Sequence, residues 1–280
     1  MSVFGTFFKI SNILNLSLFV YFLTFLILLK IRSFEISKTW IAPVFALYFG
    51  LMFSTLFALF LNGEDSMFLP ATDSVSTLIP EILNPMNGRG KVLYGGYFGS
   101  ITGILIVSFL AGYKQKTRAT MLDISAISIS FLFSVWRLGC FASGCCYGIP
   151  SSFGFSFPDG TDAFRHLMNT PLVDGNATVP LLPTQLVSSA GDFIIFLFLL
   201  ILFCKKKTKY PYFYFFAHAF LYGAGRFTIE FFRIDPREFW GPLSMSQWIS
   251  LVLIAASLVF FIKNRKEIAE SFKNKASHIR

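Results

Sequence analysis

The chain has 280 residues, of which 54% are hydrophobic and only 14% are charged, and its mean hydropathy is +0.63. Soluble domains carry about 25% charged residues, so this composition excludes an ordinary soluble protein and indicates an integral membrane protein. The net charge of +9 lies in short loops between apolar segments, where lysine and arginine mark cytoplasmic ends and anionic lipid surfaces. Nucleic acid is therefore not expected as a partner, whereas the lipid bilayer is. No change of composition marks a second domain, so residues 1–280 are predicted to form a single transmembrane domain.

Seven apolar segments have a length close to the roughly 20 residues that a helix needs to cross a bilayer. The fourth and the sixth of them are the shortest. We therefore predict an all-α fold, a polytopic membrane bundle of seven transmembrane helices. In chain order the segments are residues 13–29, 41–61, 93–112, 121–136, 185–204, 210–225 and 243–262.

Basic residues cluster in alternate connections between these segments. The clusters are residues 30–38, 114–118 and 205–209 and the tail from residue 263. With seven spans all four lie on one side, which the positive-inside rule makes cytoplasmic. The N-terminus is then expected outside and the C-terminus in the cytoplasm. The loops expected on the outer face, where we predict the functional site, are residues 62–92, 137–184 and 226–242.

The segment RLGCFASGCCYG, Arg137 to Gly148, follows the fourth apolar segment and combines an arginine with three cysteines and small residues. Glycines let a backbone approach a ligand closely or let two helices pack tightly. Arg137 is therefore either an anchor at the membrane interface or a ligand-binding group on a glycine-rich bend.

The cysteines of this segment, Cys140, Cys145 and Cys146, leave three interpretations open. Buried free cysteine behaves as a small hydrophobe, so the three can be apolar fillers. On an oxidising outer face Cys140 can instead form a disulfide with Cys145 or Cys146. Metal binding or thiol catalysis is the third interpretation, although no histidine stands nearby and no C-x-x-C pair occurs.

The segment GRFTIEFFR places Arg226, Glu230 and Arg233 four and three residues apart, so on a helix they share one face. One interpretation is interfacial snorkelling with an Arg226–Glu230 ion pair inside the helix. The other is a guanidinium group held for a phosphate, because its planar fork binds phosphate oxygens in a bidentate way and stays charged.

Four separated motifs of this chain resemble, in the same order, motifs of the prolipoprotein diacylglyceryl transferase family. They are RLGCFASGCCYG, LPTQL, YGAGRFTIEFFR and GPLSMSQ. They cover the C-terminal half, and the N-terminal half matches mainly in its pattern of spans and in YGGYFG. The positions that match the family are Arg137, Gly139, Phe141, Gly144, Gly148, Pro183, Gln185, Leu186, Arg226, Glu230, Arg233 and Gly241 to Gln247.

The resemblance implies a multi-pass enzyme of the bacterial cytoplasmic (inner) membrane. Such an enzyme moves a diacylglyceryl group from phosphatidylglycerol, or a similar anionic phospholipid, onto the thiol of a lipoprotein-precursor cysteine. The catalytic residues would be Arg137 and Arg226, which hold the phosphate, and Tyr94, which occupies the position of a family histidine. The resemblance implies neither a metal nor an organic cofactor. The residues implied to bind the substrate are Gly95, Gly96, Ser143, Gly144, Gly148, Gln185, Glu230 and Arg233.

Several polar groups of the family motifs are replaced in this chain. Two asparagines and a glutamate appear as Cys140, Ser143 and Cys145, and a second family histidine appears as Leu182. Tyr94 is a poor base, since the unperturbed pKa of tyrosine is about 10, so the proton acceptor is not identified. A divergent relative with another acceptor fits these departures. A membrane thiol–disulfide protein that works through the three cysteines and a non-enzymatic phospholipid-binding protein are the alternatives.

Overall fold

The fold is mostly helical, as the computed structural model shows for the residues that it describes, 10–61, 92–205, 210–237 and 239–273. The helices are α1 (Ile10–Ile31), α2 (Ile36–Thr39), α3 (Ile41–Leu61), α4 (Leu93–Leu110), α5 (Gln115–Ser143), α6 (Asp162–Leu167), α7 (Thr184–Cys204), α8 (Phe213–Ile229), α9 (Met245–Lys263) and α10 (Arg265–Lys273), with a 3-10 turn at Glu230–Phe232. The strands are short: β1 (Pro150–Phe155), β2 (Val173–Asp174), β3 (Ala177–Thr178), β4 (Phe239–Trp240) and β5 (Leu243–Ser244). The all-α prediction is therefore correct for the bundle and omits two small antiparallel hairpins, β2–β3 and β4–β5.

The apolar segments predicted from the sequence form helices. In the described part of the chain, six helices are long and apolar enough to cross a membrane: Asn12–Ile31, Ile36–Ala58, Leu93–Leu110, Gln115–Ser143, Thr184–Cys204 and Met245–Lys263. A polytopic helical membrane protein is thus confirmed. The predicted segment 210–225 corresponds to α8, which has 17 residues and is too short to be counted with the six. The seventh crossing and the orientation of the termini stay predictions.

Helix α5 corrects the predicted boundary of the fourth span. It has 29 residues and includes Arg137 and Cys140, whereas the sequence analysis ended the span at residue 136 and placed Arg137 on a glycine-rich bend. Gly139 lies within the helix and faces Ile13, whose side chain would lie 3.4 Å from an ideal Cβ on the glycine. The helix ends where Gly144 adopts φ +75°, the left-handed conformation that commonly terminates helices.

The described residues divide into two compact units, each built from three separate stretches of the chain. One contains Met1–Val20, Ser130–Ile201 and Ala217–Ile262, and the other contains Tyr21–Ile129, Leu202–Phe216 and Lys263–Arg280. The prediction of a single domain over residues 1–280 stays a prediction. The acidic loop of residues 62–92, apart from Val92, and most of the basic run after Cys204 lie outside the described residues.

In the second unit, α3 and α4 pack with their backbones in contact. Gly95, Gly99 and Gly103 recur every four residues and so share one face of α4. An ideal Cβ on Gly95 would lie 2.5 Å from the carbonyl oxygen of Phe53, and one on Gly99 would lie 2.1 Å from that of Phe49. Small residues at this spacing allow the close approach of helices in membranes.

In the first unit, a compact cap connects α5 to α7. It consists of β1, α6 and the β2–β3 hairpin around an apolar cluster, so this predicted outer loop has a core of its own. Thr161 caps α6, where its hydroxyl accepts from the N–H group of Phe164. The buried residues of the cluster are Tyr147, Phe157, Ala163, Leu167 and Leu181.

Candidate functional site

The motifs singled out in the sequence meet through the backbone of the first unit. The N–H group of Gly148 donates to the carbonyl of Leu182 at 3.0 Å, and that of Ile149 donates to the carbonyl of Phe232 at 3.0 Å. An ideal Cβ on Gly148 would lie 2.7 Å from the Phe232 oxygen, so this close approach requires glycine. Three segments that are far apart in the sequence are thereby joined at the end of α5.

A buried carboxylate, Glu230, binds three arginines. Arg226 Nη1 lies 2.7 Å from Oε2 of Glu230, Arg233 Nη1 lies 3.3 Å from Oε2, and Arg237 Nη1 lies 3.2 Å from Oε1. The hydroxyl of Ser244 donates to Oε1 at 2.9 Å. Arg226 and Arg233 reach the same carboxylate because their spacing of four and three residues places them on one side of the turn that ends α8.

The Glu230 carboxyl is charged at neutral pH. Its burial raises its pKa, but the charges of Arg226, Arg233 and Arg237 and the hydrogen bond from Ser244 outweigh that effect, and the pKa lies below its ordinary value. A second carboxylate, Asp235, holds Arg233 through two contacts of 2.8 and 2.6 Å. Three guanidinium groups therefore face two carboxylates, and the cluster keeps a surplus of positive charge.

Arg226 also borders a cavity of about 400 Å³ between α5, α7 and α8. Its walls are mostly apolar, and its polar groups come from three helices. Such a volume falls within the range of about 300–1,000 Å³ that is typical of small-molecule sites. The residues of the wall that carry charge or a hydroxyl are Arg137, Ser188, Asp192, Tyr222, Arg226 and Thr228.

Arg137, which reaches the same cavity from α5, is 5% exposed. Among the described residues it has neither a hydrogen-bond partner nor a salt bridge, and its buried Nε is unsatisfied. A buried ion without a partner costs several kcal/mol, so an anion in the cavity would find a guanidinium group with free donors. The site can therefore bind an anionic head group between a free arginine and an arginine held by a carboxylate.

Asp192 is a functional candidate that the sequence analysis missed. It lies on α7, is 7% exposed and shares the cavity with both arginines. Arg137 and Arg226 both interact electrostatically with it. The signal was present in the sequence, because an ionisable residue inside an apolar span is by default a functional candidate.

Other predicted substrate-binding residues hold the turn that follows α5. Gln185 donates from Nε2 to the carbonyl of Cys145 at 2.6 Å, and the hydroxyl of Ser143 donates to the carbonyl of Cys140 at 3.0 Å. An ideal Cβ on Gly144 would lie 2.8 Å from the Cβ of Thr161. The structure gives these residues backbone-positioning contacts, and their roles in substrate binding stay predictions.

Tyr94, Gly95 and Gly96 lie at the start of α4, in the second unit. Tyr94 is 2% exposed, and the contact of Gly95 with Phe53 accounts for that glycine through helix packing. An ideal Cβ on Gly96 would lie 3.7 Å from the oxygen of Gly50, which is an ordinary contact distance. The predicted catalytic role of Tyr94 and the binding roles of the two glycines stay predictions.

Cys140, Cys145 and Cys146 are free thiols in the structure. Their sulfur atoms all lie within 4.8 Å of one another. The cysteines are thus as close in space as the disulfide considered from the sequence needs, and that disulfide stays a prediction. Cys204, at the other end of α7, is also free and is exposed.

The family model of prolipoprotein diacylglyceryl transferase matches residues 44–263. The chain is 35% identical over 190 residues to phosphatidylglycerol–prolipoprotein diacylglyceryl transferase 2 of Clostridium perfringens, an alignment that covers 65% of this chain and 67% of the relative. It is 35% identical over 182 residues to the Clostridium tetani transferase of that name, with 65% and 67% covered. The similar enzyme of Streptococcus pneumoniae is 31% identical over 197 residues, with 70% of each chain covered.

Proposed function

Because the chain belongs to the prolipoprotein diacylglyceryl transferase family, we propose that it transfers the diacylglyceryl group of phosphatidylglycerol to a lipoprotein-precursor cysteine. The relatives with this activity in their names support the reaction. The observation that carries the proposal is the cavity bordered by Arg137 and Arg226, where a buried guanidinium group without a hydrogen-bond partner and a second, ion-paired one line the same space.

In the proposed reaction, the acceptor thiol gives up its proton to water, and its sulfur attacks the glycerol carbon that carries the phosphate. The sulfur–carbon bond forms while the carbon–oxygen bond breaks, and the electron pair passes to the phosphate oxygen of the leaving glycerol phosphate. Arg137 and Arg226 stabilise the negative charge that grows on this oxygen, because preorganised donors in a water-poor site act most strongly on developing charge.

The carboxylate of Glu230 acts on the reaction through Arg226. Its 2.7 Å contact with Nη1 holds the guanidinium group of Arg226, which borders the cavity. Arg233 is held in turn by Asp235, so it is a positioning residue for Glu230. The apolar wall of the cavity, formed by residues such as Val187 and Ile195, suits the glycerol and acyl part of a phospholipid.

For this function, α8 is the seventh helix that crosses the membrane. The N-terminus lies outside, the C-terminus lies in the cytoplasm, and the cap between α5 and α7 lies on the outer face of the bacterial cytoplasmic membrane. The basic residues of loops 30–38 and 114–118 support this orientation through the positive-inside rule. The acceptor would then approach from the face where exported lipoprotein precursors emerge.

The test uses purified protein in lipid nanodiscs that contain phosphatidylglycerol, with a synthetic peptide carrying a lipoprotein-type cysteine. We expect mass spectrometry to find the peptide with one added diacylglyceryl group. Nanodiscs of phosphatidylcholine and a peptide with serine in place of the cysteine are the matched controls. Recovery of unchanged peptide and unchanged phosphatidylglycerol, with lipid bound to the protein, would contradict the transferase and favour a lipid-binding protein.

A further inference from the structure

The three clustered cysteines offer a ligand set that the proposed transfer does not yet use. Cys140 lies in the last turn of α5, and Cys145 and Cys146 follow directly after Gly144. Their sulfur atoms lie within 4.8 Å of one another. Thiolates around a tetrahedral Zn²⁺ stand about 3.8 Å apart, given a metal–sulfur distance of about 2.3 Å. The three sulfurs are thus at most about 1 Å further apart than such a site requires.

The turn that carries the cysteines is held by specific contacts. The N–H group of Cys145 donates to the carbonyl of Cys140 at 3.2 Å. Gln185 donates to the carbonyl of Cys145 at 2.6 Å, and the hydroxyl of Thr184 donates to that of Cys146. Cys146 itself has φ +60°, a conformation that costs about 1–2 kcal/mol in a residue other than glycine. Two side chains of α7 thus fix a strained turn that directs three thiols toward one point.

Two guanidinium groups lie close to the cluster. Arg137 interacts electrostatically with Cys140 and Cys146, and Arg233 interacts with Cys146. Three thiolates and one divalent cation would carry a net charge of −1, which the surplus positive charge of the Glu230 cluster can balance through Arg233, beside Cys146. Sulfur ligands select soft or borderline cations such as Zn²⁺ and exclude Mg²⁺ and Ca²⁺, which prefer oxygen.

We propose that Cys140, Cys145 and Cys146 bind a thiophilic divalent cation of the Zn²⁺ type, whose fourth position accepts the cysteine of the lipoprotein precursor. Catalytic zinc sites commonly have three protein ligands and one open position, whereas structural sites have four. This inference rests on the proposed transferase function. The cation would also make the acceptor thiol a nucleophile. This chain needs another group for that step, because it has Tyr94 in place of the family histidine.

The acceptor thiol loses its proton to water when it binds the cation, because a coordinated thiol is deprotonated. Its sulfur then attacks the glycerol carbon, the carbon–oxygen bond breaks, and the electron pair leaves with the phosphate held by Arg137. No group changes its oxidation state. The product is a neutral thioether, a weaker ligand than a thiolate, so its release frees the fourth position.

Metal binding is tested on the full-length protein, purified with reduced thiols and dialysed against stoichiometric Zn²⁺. We expect one ion per chain by elemental analysis, and its loss in each of Cys140→Ser, Cys145→Ser and Cys146→Ser. Cys204→Ser is the matched control and should retain the ion. Thermal unfolding of each variant checks that the fold is preserved. Retention of the ion in the three cluster variants, or its absence from the reduced wild type, would overturn the proposal.

The open position is tested with Co²⁺ in place of Zn²⁺ and with the acceptor peptide, in the absence of donor lipid. The thiolate charge-transfer absorbance should rise when a fourth thiolate joins three, and a peptide with serine in place of cysteine should have no effect. Unchanged absorbance with the cysteine peptide would overturn the inference. A protein that gives this rise but transfers nothing from phosphatidylglycerol contradicts only the proposed transferase function, so the two failures are distinguishable.

Discussion

Arg226 Nη1 lies 2.7 Å from Oε2 of Glu230, one helical turn further along the chain, and the two side chains are 9% and 2% exposed. The cavity thus has one guanidinium group that is fixed by a carboxylate and a second, Arg137, that is free to bind an anion. The fixed guanidinium group of Arg226 gives the site a defined geometry. The guanidinium group of Arg137 has donors that an anion can occupy. This asymmetry is what the proposed phosphate binding requires.

The two arginines should not tolerate lysine. Arg137→Lys and Arg226→Lys keep the charge but lose the planar fork, and each charge-assisted hydrogen bond contributes about 1.5–3 kcal/mol. Transfer should therefore fall roughly 10-fold to 100-fold, at 1.4 kcal/mol per factor of ten. The measurement is the rate of peptide lipidation in phosphatidylglycerol nanodiscs, with thermal unfolding as a check of the fold.

The structure decides which arginine can serve as the control. Arg237 looks unconnected in the sequence, since it follows a proline outside the family motif, but its Nη1 lies 3.2 Å from Glu230. Arg165 is the better choice, because its side chain is 64% exposed and reaches Asp162 only at 3.9 Å. Arg165→Lys should keep the wild-type rate. If Arg137→Lys and Arg226→Lys behave in the same way, the two arginines are anchors and the phosphate assignment is wrong.

Glu230→Gln should destabilise the first unit. The substitution removes the negative charge that three arginines share and leaves buried positive charge uncompensated, which costs about 3–5 kcal/mol. A marked fall of the unfolding midpoint in detergent is the expected result. Ser244→Ala is the matched control, because it removes one hydrogen bond to the same carboxylate, worth about 1.5–3 kcal/mol. An equal effect of both variants would show that the carboxylate charge is unimportant.

The same carboxylate predicts a dependence of stability on pH. The pKa of Glu230 is lower in the folded protein than its ordinary value, so the folded state binds fewer protons than the unfolded state between the two pKa values. Its contribution is fully present above the unfolded pKa of about 4.3 and is lost as the pH falls through the folded pKa. Unfolding midpoints measured below pH 5 should decrease more steeply in wild type than in Glu230→Gln. Parallel curves would contradict the assignment.

The sequence predicted most of the bundle because apolar length is sufficient to identify a membrane helix. It also placed Arg226, Glu230 and Arg233 together, because helical periodicity alone determines that face. It failed at Arg137, where charge and glycine composition suggested a bend, because the helix runs on to Ser143 and the left-handed glycine that follows it is Gly144. The dipeptide Asp235-Pro236 favours a turn, but the contact between Arg237 and Glu230 that follows it is tertiary, and local patterns do not specify such contacts.

The orientation can be tested with single cysteines at two exposed positions. Asp174→Cys, in the β2–β3 hairpin, should react with a membrane-impermeant maleimide in intact cells, and Lys116→Cys, near the start of α5, should react only after the membrane is opened. Labelling is scored as the increase over the parent protein, which carries the four native cysteines. Reaction of both positions from the same side would contradict an odd number of crossings between residues 116 and 174 and, with it, the predicted topology.

Substitutions at the adjacent glycines Gly95 and Gly96 can distinguish a role in helix packing from a role in substrate binding. An added methyl on Gly95 would lie 2.5 Å from the Phe53 oxygen, and one on Gly96 would lie 3.7 Å from the Gly50 oxygen. Gly95→Ala should therefore force α3 and α4 apart and lower stability by about 1–3 kcal/mol, as overpacking does, whereas Gly96→Ala should unfold like wild type. If Gly96 borders the bound head group, as the family resemblance predicts, Gly96→Ala should nevertheless slow transfer. Unchanged transfer in Gly96→Ala would show that its predicted binding role is wrong, and a matching loss of stability in both variants would assign both glycines to packing.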